Sequence, residues 1–407
     1  MLIRKIYYLR KLLKQQWMKK SELEIIQNKM LKGLIEHSYK FVPFYKNLMK
    51  KNNVSPGDIK NSEDLDKLPV IKKEAVIKNW KCFFSLYYTK FYDLSKFKYL
   101  RTSGTYSQPV KIYWDFNAAD YKDMVILRSW INHGLSKKDK IAFFTRDKFE
   151  TTAVEKLGFY RKKYFDLNED DKKNLKLMEI FKPDAIHSFA NTLEIQAKIK
   201  NAIGFDINPK FIISIGEILT KNMRKGIENS FDCNVYDVYG CMETGLVASE
   251  CNEKSLHIEE DNVIVKTENK NCIVTNLTNY LFPIINYDTE DLILESNELC
   301  TCGRKQKIIE VIGRSKDLLL FEKTYYPNGV ADHFSNFRGI INYKIKKMTN
   351  KRVLVKITPT SEATRKIKEE MEVHARKLFN KSIRIDVKIE EKIKKTGGGK
   401  IIRIDTN

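Results

Sequence analysis

Three groups of residues between positions 287 and 317 have the types and spacing that chemistry needs. Segment 287–291 reads Tyr-Asp-Thr-Glu-Asp, segment 300–304 reads Cys-Thr-Cys-Gly-Arg, and segment 313–317 reads Gly-Arg-Ser-Lys-Asp. An acid at the end of a strand can bind sugar hydroxyls, and an arginine at a chain corner can bind a phosphate. Two cysteines in one short loop can share a metal ion. These segments predict a nucleotide site and a metal site in the same region.

Four residues are candidate ligands of one metal ion: Cys251, His257, Cys300 and Cys302. Two thiols one residue apart, with a third thiol and an imidazole from a nearby segment, suit tetrahedral zinc. Four protein ligands leave no open position, so the ion is expected to be structural, in a β-rich excursion at about 246–304. The alternative is four unrelated buried residues.

Three further segments lie at predicted strand ends. The turn 102–109 (Thr-Ser-Gly-Thr-Tyr-Ser-Gln-Pro) can wrap phosphate oxygens with backbone amides and hydroxyls, although such turns are common and this one lacks a Walker lysine. Segment 236–245 offers a tyrosine that can stack on a base and a glutamate that can hold Mg²⁺. In Ser-Ile-Gly-Glu (214–217), the glycine allows close approach to a flat ring.

The elements that must position these residues alternate between strand and helix. Alternation of this kind predicts an α/β layered fold with a largely parallel sheet. Residues 1–50 are predicted to be helical as far as the proline at position 43. The predicted strands are 98–101, 110–114, 140–144, 185–188, 211–215 and 234–238, and the predicted helices are 118–133, 172–181, 192–202 and 222–230.

A smaller α+β unit is expected after position 317. Its predicted elements are strands 341–348 and 353–358, a helix over 362–379, strand 383–389, a glycine loop at 396–399 and a last strand at 401–404. The sequence therefore predicts a large N-terminal domain, 1–315, and a small C-terminal α+β domain, 316–407.

Composition limits the class of protein without choosing a partner. The 407 residues, 42% of them hydrophobic, are enough for two domains. The 74 basic and 52 acidic side chains give a net charge of +22, which favours nucleotides, coenzyme A, an acidic carrier protein, nucleic acid or an anionic membrane. A nucleic-acid binder ranks last, because no basic-aromatic strip or recognised motif is present.

Location is predicted from the cysteines and from the apolar runs. Seven cysteines in a long chain without a secretory signal indicate a reducing compartment, and we expect the cytoplasm. No apolar run approaches membrane-spanning length. The first twenty residues are basic and loosely amphipathic, which suits a membrane-surface helix or a transit peptide, although an ordinary packed helix is preferred.

In their order along the chain these motifs resemble the acyl-adenylate-forming ligase superfamily, in its branch of phenylacetate–coenzyme A ligases and capsular-polysaccharide (CapK-like) ligases. The resemblance covers nearly the whole chain. Segment 102–109 resembles the phosphate loop, 215–217 the adenine-side loop, and 239–243 the aromatic-Gly-x-x-Glu motif. Segment 287–291 resembles the ribose-binding motif, 313–317 the hinge, and 399–400 the catalytic-lysine loop. The cysteine segments resemble those of zinc-carrying members of the branch.

The resemblance implies a role for each matching residue. Lys400 would bridge the carboxylate substrate and the α-phosphate, and Glu243 would bind Mg²⁺. Lys316 would be the hinge about which a small, mobile C-terminal domain turns. The implied nucleotide-binding residues are Ser103, Gly104, Thr105, Gly216, Glu217, Tyr239, Gly240, Asp291 and Arg314. The implied cofactors are ATP, Mg²⁺ and structural Zn²⁺.

Some positions depart from the family pattern. Tyr106, Ser107 and Gln108 replace the usual threonine, glycine and lysine of the phosphate loop. Met242 stands where a hydroxyl normally touches phosphate, and Glu290 stands where glycine is frequent. These departures indicate that ATP turnover could be slow or absent, and they do not change the predicted fold.

The predicted function is ATP-dependent activation of a carboxylic acid to an acyl-adenylate, followed by transfer to a thiol of coenzyme A or of an acidic carrier protein. One alternative is transfer to an amine or hydroxyl, as in amide formation on a sugar. Another is a degenerate, non-catalytic nucleotide-binding protein. A homodimer is one option for the assembly.

Overall fold

The computed structural model describes residues 2–101, 109–146, 151–296, 298–360 and 364–406, with the backbone alone at 153, 364 and 365. The predicted phosphate loop therefore lies outside the described residues from 102 to 108. The helices are α1 (Leu2–Gln15), α2 (Lys20–Phe41), α3 (Pro43–Lys51), α4 (Lys73–Lys78), α5 (Leu86–Phe91), α6 (Phe116–Asn132), α7 (Ala153–Lys156), α8 (Asp171–Phe181), α9 (Ala190–Ile203), α10 (Lys221–Phe231), α11 (Pro327–Ser335) and α12 (Thr364–Leu378).

The strands lie in the same described ranges. They are β1 (Lys98–Arg101), β2 (Lys111–Trp114), β3 (Lys140–Thr145), β4 (Arg161–Asp166), β5 (Ala185–Phe189), β6 (Phe211–Ile215), β7 (Asn234–Cys241), β8 (Gly245–Glu250), β9 (Leu256–Ile258), β10 (Val263–Glu268), β11 (Asn271–Asn276), β12 (Tyr287–Ser296), β13 (Ile308–Arg314), β14 (Leu319–Leu320), β15 (Thr324–Tyr325), β16 (Ile340–Thr349), β17 (Arg352–Pro359), β18 (Arg384–Ile389) and β19 (Ile404–Asp405). Within these ranges no helix is both long and apolar enough to cross a bilayer.

The chain divides into two compact units. The first contains Met1–His133 and Val238–Glu310, and the second contains Gly134–Asp237 and Val311–Asn407. The predicted division at 315/316 falls near the later of these boundaries, but the contacts group the C-terminal residues with 134–237. The predicted two-domain division stays a proposal.

The first unit packs helices against an antiparallel sheet. Its strands follow the order β10-β11-β12-β13-β9-β8-β7, and β1 pairs separately with β2. The core is rich in stacked aromatic rings, with Phe83 at 4.1 Å from Phe44 and 5.4 Å from Phe282, measured between ring centroids. Pro43 ends α2 and occupies the first turn of α3, where its missing amide costs nothing. The predicted single helical region therefore consists of three helices.

The second unit contains the parallel part of the fold. Strands β4, β3, β5 and β6 pair in parallel in that order, with hydrophobic contacts to α8, α9 and α10. Its C-terminal residues form a second core around a four-stranded sheet of order β18-β17-β16-β19, packed with α11 and α12. The predicted mixed α/β fold is confirmed.

Some predicted elements are corrected by the structure. Strand β4 and helix α11 were not expected, because the lysine-rich run of β4 and the Pro-Asn-Gly opening of α11 lack clear periodicity. The predicted last strand, 401–404, is wrong, since β19 contains only Ile404–Asp405. The backbone of 401 instead contacts a side chain of the same unit, as described below.

Candidate nucleotide site and metal centre

Two carboxylates of the first unit are held by tyrosine hydroxyls. Tyr239, near the end of β7, donates to Oδ2 of Asp291 on β12 over 2.9 Å. Tyr287, at the start of β12, donates to Oε1 of Glu243 in the turn after β7 over 3.1 Å. All four residues are buried. Segments 239–243 and 287–291 thus each supply one phenol and one carboxylate. The phenol of each segment orients the carboxylate of the other.

The phenols remain protonated donors at neutral pH. Burial raises the pKa of Tyr239, and the carboxylate of Asp291 raises it further. Burial likewise raises the pKa of Tyr287, with Glu243 contributing in the same direction. The predicted ribose and magnesium roles of Asp291 and Glu243 remain predictions, but both side chains are held in fixed positions. Tyr287 was not assigned a role from the sequence.

The turn that carries Glu243 depends on two glycines. A Cβ at Gly240 would lie 2.4 Å from the carbonyl oxygen of Gly245, so no side chain fits there. Gly245 has φ of +76° and faces Trp114 at 3.3 Å from the position of a Cβ. The neighbouring Met242 is 40% exposed. Gly240 is therefore required by the tightness of the turn, whatever its relation to a nucleotide.

The unusual residue Glu290 has a strained backbone. Its φ is +63°, a region that L-residues other than Asn and Asp rarely adopt. The amide of Glu290 donates to Oδ1 of Asp288 over 2.8 Å, which stabilises this conformation locally. The geometry gives a physical reason why glycine suits the position.

The candidate catalytic lysine lies on a packed loop of the second unit. Lys400 Nζ donates to the carbonyl oxygen of Gly216 over 2.6 Å and lies 5.6 Å from the ring centre of Phe189. Gly399 has φ of +78°, and a Cβ there would lie 2.5 Å from Cβ of Leu167. Gly399 and Lys400 therefore belong to a packed loop, and the catalytic role of Lys400 stays a prediction.

A pair of side chains holds the backbone that follows Lys400. The amide of Ile401 donates to Oε1 of Glu217 over 3.0 Å, and the amide of Asn191 donates to Oε2 over 2.9 Å. Asn191 Nδ2 donates to the carbonyl oxygen of Ile401 over 3.2 Å. We call these contacts the Glu217–Asn191 latch. Burial raises the pKa of Glu217, while the charge of Lys400 acts in the opposite direction.

Ion pairs on both sides of Lys400 fix the same segment. Lys395 Nζ lies 3.1 Å from Asp171 Oδ2, and Arg403 Nη1 lies 2.5 Å from Glu194 Oε2. Ile401 and Ile393 pack against Ile195 of α9. The predicted adenine role of Glu217 is untested, and its carboxylate accepts from two backbone amides in this structure. Asn191 and Arg403 were missed in the sequence because nothing in their spacing relates them to residue 400.

The predicted hinge also lies in the second unit. Lys316 is in the turn Ser315–Asp317 directly after β13, and its carbonyl accepts from the hydroxyl of Thr406 over 2.8 Å. Arg314 ends β13. A Cβ at Gly313 would lie 2.5 Å from the ring of Pro327, so no residue with a side chain fits at position 313. The hinge role of Lys316 and the phosphate role of Arg314 stay predictions.

One histidine of the second unit is a structural residue by its contacts. His187 on β5 is buried and its ring stacks on Phe143 at 4.5 Å with an interplanar angle of 12°. Burial lowers its pKa to about 3, and Lys162 contributes in the same direction. The imidazole is therefore neutral across the physiological range.

The four candidate metal ligands converge in the first unit. One ligand atom from each of Cys251, His257, Cys300 and Cys302 lies within 4.8 Å of all the others. Cys251 Sγ is 3.6 Å from Cys300 Sγ, and Cys302 Sγ is 3.4 Å from His257 Nε2. Zinc–sulfur bonds of about 2.3 Å and zinc–nitrogen bonds of about 2.0 Å place tetrahedral ligands roughly 3.5–3.8 Å apart. The donor spacing fits such an ion.

The surroundings of the cluster orient its imidazole. His257 Nδ1 lies 3.2 Å from the carbonyl oxygen of Gln306, so Nε2 points at the thiols. Burial lowers the pKa of His257 to about 4, which keeps the ring neutral, as metal binding requires. The amide of Arg304 donates to Cys302 Sγ over 3.4 Å. Gln306 in turn donates to the carbonyl oxygen of Gln16 over 3.0 Å, which connects the cluster to the N-terminal helices.

Several known proteins are similar to the chain in sequence. No protein-family model matches the chain. The chain is 24% identical over 338 residues to phenylacetate-coenzyme A ligase of Thermus thermophilus, covering 76% of this chain and 75% of that protein. It is 25% identical over 356 residues to the Escherichia coli protein of the same name, covering 78% and 77%. It is also 24% identical over 322 residues to Protein CapK of Staphylococcus aureus, covering 74% and 69%.

The fold has counterparts among solved structures. A crystal structure of 2-hydroxyisobutyryl-CoA ligase in the postadenylation state, in complex with 2-HIB-AMP, matches with a TM-score of 0.76 at 15% identity, covering 92% of this chain and 87% of that one. The expected resemblance to the acyl-adenylate-forming ligase superfamily, in the branch of phenylacetate–coenzyme A ligases and CapK, is therefore confirmed in sequence and in fold, and with it the expectation of a ligase of the adenylate-forming type.

Proposed function

We propose that this protein activates a carboxylic acid with ATP and transfers the acyl group to a thiol. A carboxylate oxygen attacks the α-phosphorus of ATP, and pyrophosphate leaves as the acyl-adenylate forms. The sulfur of coenzyme A or of a carrier-protein phosphopantetheine then attacks the carbonyl carbon, and AMP leaves. The relatives named phenylacetate-coenzyme A ligase support coenzyme A as the acceptor.

The single observation that carries the proposal is the packed position of Lys400. Attack of one anion on another is slow unless a cation offsets the charge that accumulates between them. The ammonium group of Lys400 donates a hydrogen bond to the carbonyl oxygen of Gly216. Its loop is held in place by the Glu217–Asn191 latch and by two flanking ion pairs. A surface lysine of a basic chain would have no need of such support.

The proposed nucleotide contacts lie on ordered carboxylates. Asp291 would hold the ribose hydroxyls and Tyr239 would line the adenine, while Gly216, Glu217, Gly240 and Arg314 would complete the nucleotide site. Ser103, Gly104 and Thr105 would contact the phosphates, although they lie outside the described residues. Bound Mg²⁺ would neutralise phosphate charge, and Glu243, held by Tyr287, fits the oxygen-donor preference of that ion.

The second half-reaction requires Lys400 to withdraw. We propose that residues 316–407 act as a lid that rotates about Lys316, so that a different surface meets the acyl-adenylate. The polar character of the latch supports this, because hydrogen bonds to one loop can be exchanged for water at modest cost. Rotation about a single short turn such as Ser315–Asp317 is a common hinge design.

The test of the activity is carboxylate-dependent exchange of labelled pyrophosphate into ATP, run across aryl, fatty and amino acids. Lys400→Ala is expected to abolish exchange. Lys394→Ala removes an exposed lysine from the same segment and is the matched control, with exchange expected to be unchanged. Full exchange in Lys400→Ala would exclude the proposed role of the lysine, and no exchange in the unaltered protein would favour a non-catalytic nucleotide-binding protein.

An amine or hydroxyl acceptor is the second candidate, and similarity to Protein CapK favours keeping it. Product formation without any thiol but with an amino sugar would exclude our first choice of acceptor. Product formation that needs coenzyme A or phosphopantetheine would exclude the second. We place either reaction in the cytoplasm, and a homodimer is compatible with it.

We further propose that the Cys251–His257–Cys300–Cys302 cluster holds a structural zinc ion. The support is the spacing of the four donors and the neutral, oriented imidazole. The ion would pin the β-rich excursion of 246–304 to the N-terminal helices through Gln306 and Gln16. Metal analysis of the purified protein tests this, and a protein without zinc would end the proposal.

A further inference from the structure

Helix α1 is packed on one side only. Its packed side contains Leu12, which is fully buried, Tyr8, whose ring lies 5.1 Å from that of Tyr121, and Arg4, which binds Asp120. The opposite side is apolar and exposed: Ile3 is 86%, Tyr7 60% and Ile6 45% exposed. At about 100° per residue, these side chains fall on one arc of the helix.

A second group of exposed aromatic side chains lies near the start of this helix. Arg4 Nη2 donates to the carbonyl oxygen of Phe116 over 3.1 Å, and the ring of Phe116 lies 5.7 Å from that of Tyr92. Phe91, the neighbour of Tyr92 in the chain, lies 5.9 Å from Tyr87. These four aromatic side chains are between 41% and 63% exposed. We call α1's exposed side and these rings the basic aromatic surface; the sequence shows no such strip, because these residues come from separate segments of the chain.

Positive charge predominates on the basic aromatic surface. Helix α1 carries five cations and no acid, and Arg10 and Lys14 are on its exposed side. Lys90 Nζ lies 5.6 Å from the ring centre of Phe91. The one acid that follows α5, Asp93, accepts the amide of Ser95 over 2.8 Å and caps the next turn.

Exposed aliphatic and aromatic side chains combined with cations favour an anionic bilayer as the partner. A single exposed apolar residue needs no explanation, but several of them on one face of a helix, with further exposed rings nearby, mark an interaction surface. A neutral protein partner would explain the rings but not the excess of cations, and a nucleic acid would explain the rings and the cations but not the exposed Ile3 and Ile6. The interface of an anionic bilayer accepts both, because acyl chains take apolar side chains, the headgroup layer suits tyrosine, and anionic headgroups attract lysine and arginine.

We propose that the basic aromatic surface docks the protein on anionic phospholipid bilayers, with α1 lying in the plane of the interface. The inference is independent of the proposed ligase activity, since it uses no residue of the nucleotide site or metal centre. It places the enzyme where an acyl substrate or acceptor held at a membrane could be reached.

The experiment is co-sedimentation of the full chain with vesicles of phosphatidylcholine alone, or of phosphatidylcholine with phosphatidylglycerol. We expect binding to the vesicles with phosphatidylglycerol and much weaker binding to the neutral ones, with the difference suppressed by high salt. Failure to bind the anionic vesicles at low salt would overturn the proposal.

Two variants separate the apolar and charged contributions. The triple variant Ile3→Ser, Ile6→Ser, Phe91→Ser is expected to lower the partition coefficient at least tenfold. The double variant Arg10→Ser, Lys14→Ser should lower it about 25-fold on anionic vesicles, at about fivefold for each cation. All five residues are exposed, so thermal stability should be unchanged.

Matched controls carry the same changes elsewhere. The two control variants alter exposed residues of the second unit and should leave vesicle binding unchanged. They are the triple variant Leu157→Ser, Leu320→Ser, Val373→Ser and the double variant Lys368→Ser, Lys392→Ser. Equal losses of vesicle binding in the variants and the controls would overturn the proposal, because binding would then depend only on net charge or on the total exposed apolar area. A dimer in light scattering that the triple variant dissociates would also overturn it, because a second copy of the chain would then cover this surface.

Discussion

Replacing Glu217 by glutamine should release the loop that carries Lys400. Both carboxylate oxygens of Glu217 accept backbone amides, one from Asn191 and one from Ile401. Glutamine has one acceptor oxygen and an amide group that can only donate, so it can serve one of these amides and must repel the other. Asn191 is in the first turn of α9 directly after β5, and residue 217 follows β6, the parallel neighbour of β5. A glutamine oxygen that accepts from Asn191 leaves the amide of Ile401 unpaired.

The size of the effect follows from the lost contact. A hydrogen bond to a charged group contributes about 1.5–3 kcal/mol. Removing it from the docked loop alone would shift the docked-to-undocked ratio by roughly 10- to 150-fold. The bond from Asn191 Nδ2 to the carbonyl oxygen of Ile401 remains and keeps the loss toward the lower end of that range.

The two half-reactions separate this role from direct nucleotide binding. We expect Glu217→Gln to slow pyrophosphate exchange at least tenfold, and to leave thioester formation from a supplied acyl-adenylate within about twofold of the unaltered protein. Asn191→Ala should act in the same direction. Glu169→Gln makes the same chemical change at an exposed residue paired with Lys173 and should be silent. Equal loss in both half-reactions, or no loss in either, would refute the reasoning.

Three further predictions concern the other groups. Cys300→Ser should lower zinc content from about one ion per chain to near zero and lower the melting temperature, as measured by metal analysis and calorimetry. Tyr239→Phe should raise the KM for ATP roughly tenfold in the exchange assay, because Asp291 loses a buried donor. His187→Phe should weaken the acid sensitivity of folding in urea titrations. Burial lowers the pKa of His187 to about 3 in the folded chain. Below about pH 6.5 the unfolded chain therefore binds a proton that the folded chain does not bind, and the free energy of unfolding decreases as the pH falls from about 6.5 to about 3.

Controls for these predictions come from the same chain. Cys82 is an exposed cysteine, so Cys82→Ser should retain the metal. Tyr99 is exposed, and Tyr99→Phe should leave the KM for ATP unchanged. Zinc retained in the Cys300 variant, an unchanged KM in the Tyr239 variant, or an undiminished pH slope in the His187 variant would each contradict its prediction.

The sequence predicts best where local chemistry determines the structure. The metal cluster was expected because cysteine and histidine at short spacing have few other uses together, and the structure brings all four donors within 4.8 Å of one another. Pro43 marked the end of α2 because it cannot continue a helix with its amide bonded. The alternation of strands and helices over 140–238 predicted the parallel sheet, because each strand and helix has its own local hydrophobic pattern.

Long-range pairing could not be predicted from a single sequence. Glu217 and Ile401 lie 184 positions apart, and no periodicity relates an acid after β6 to a backbone amide near the C-terminus. The exchange of phenols and carboxylates between β7 and β12 is hidden for the same reason, although Tyr287 stood inside the recognised motif. The grouping of 311–407 with 134–237 likewise depends on packing that spans the chain.

The most direct test of an acyl-adenylate is the fate of the carboxylate oxygens. A carboxylic acid that supports exchange would be labelled with ¹⁸O in both carboxylate positions and turned over with ATP and the acceptor, and the AMP would be analysed by mass spectrometry. We predict one ¹⁸O atom in the phosphate of AMP, because the oxygen that attacks the α-phosphorus stays with it when the acyl carbon is transferred. Unlabelled AMP, or ADP with label in inorganic phosphate, would contradict the account.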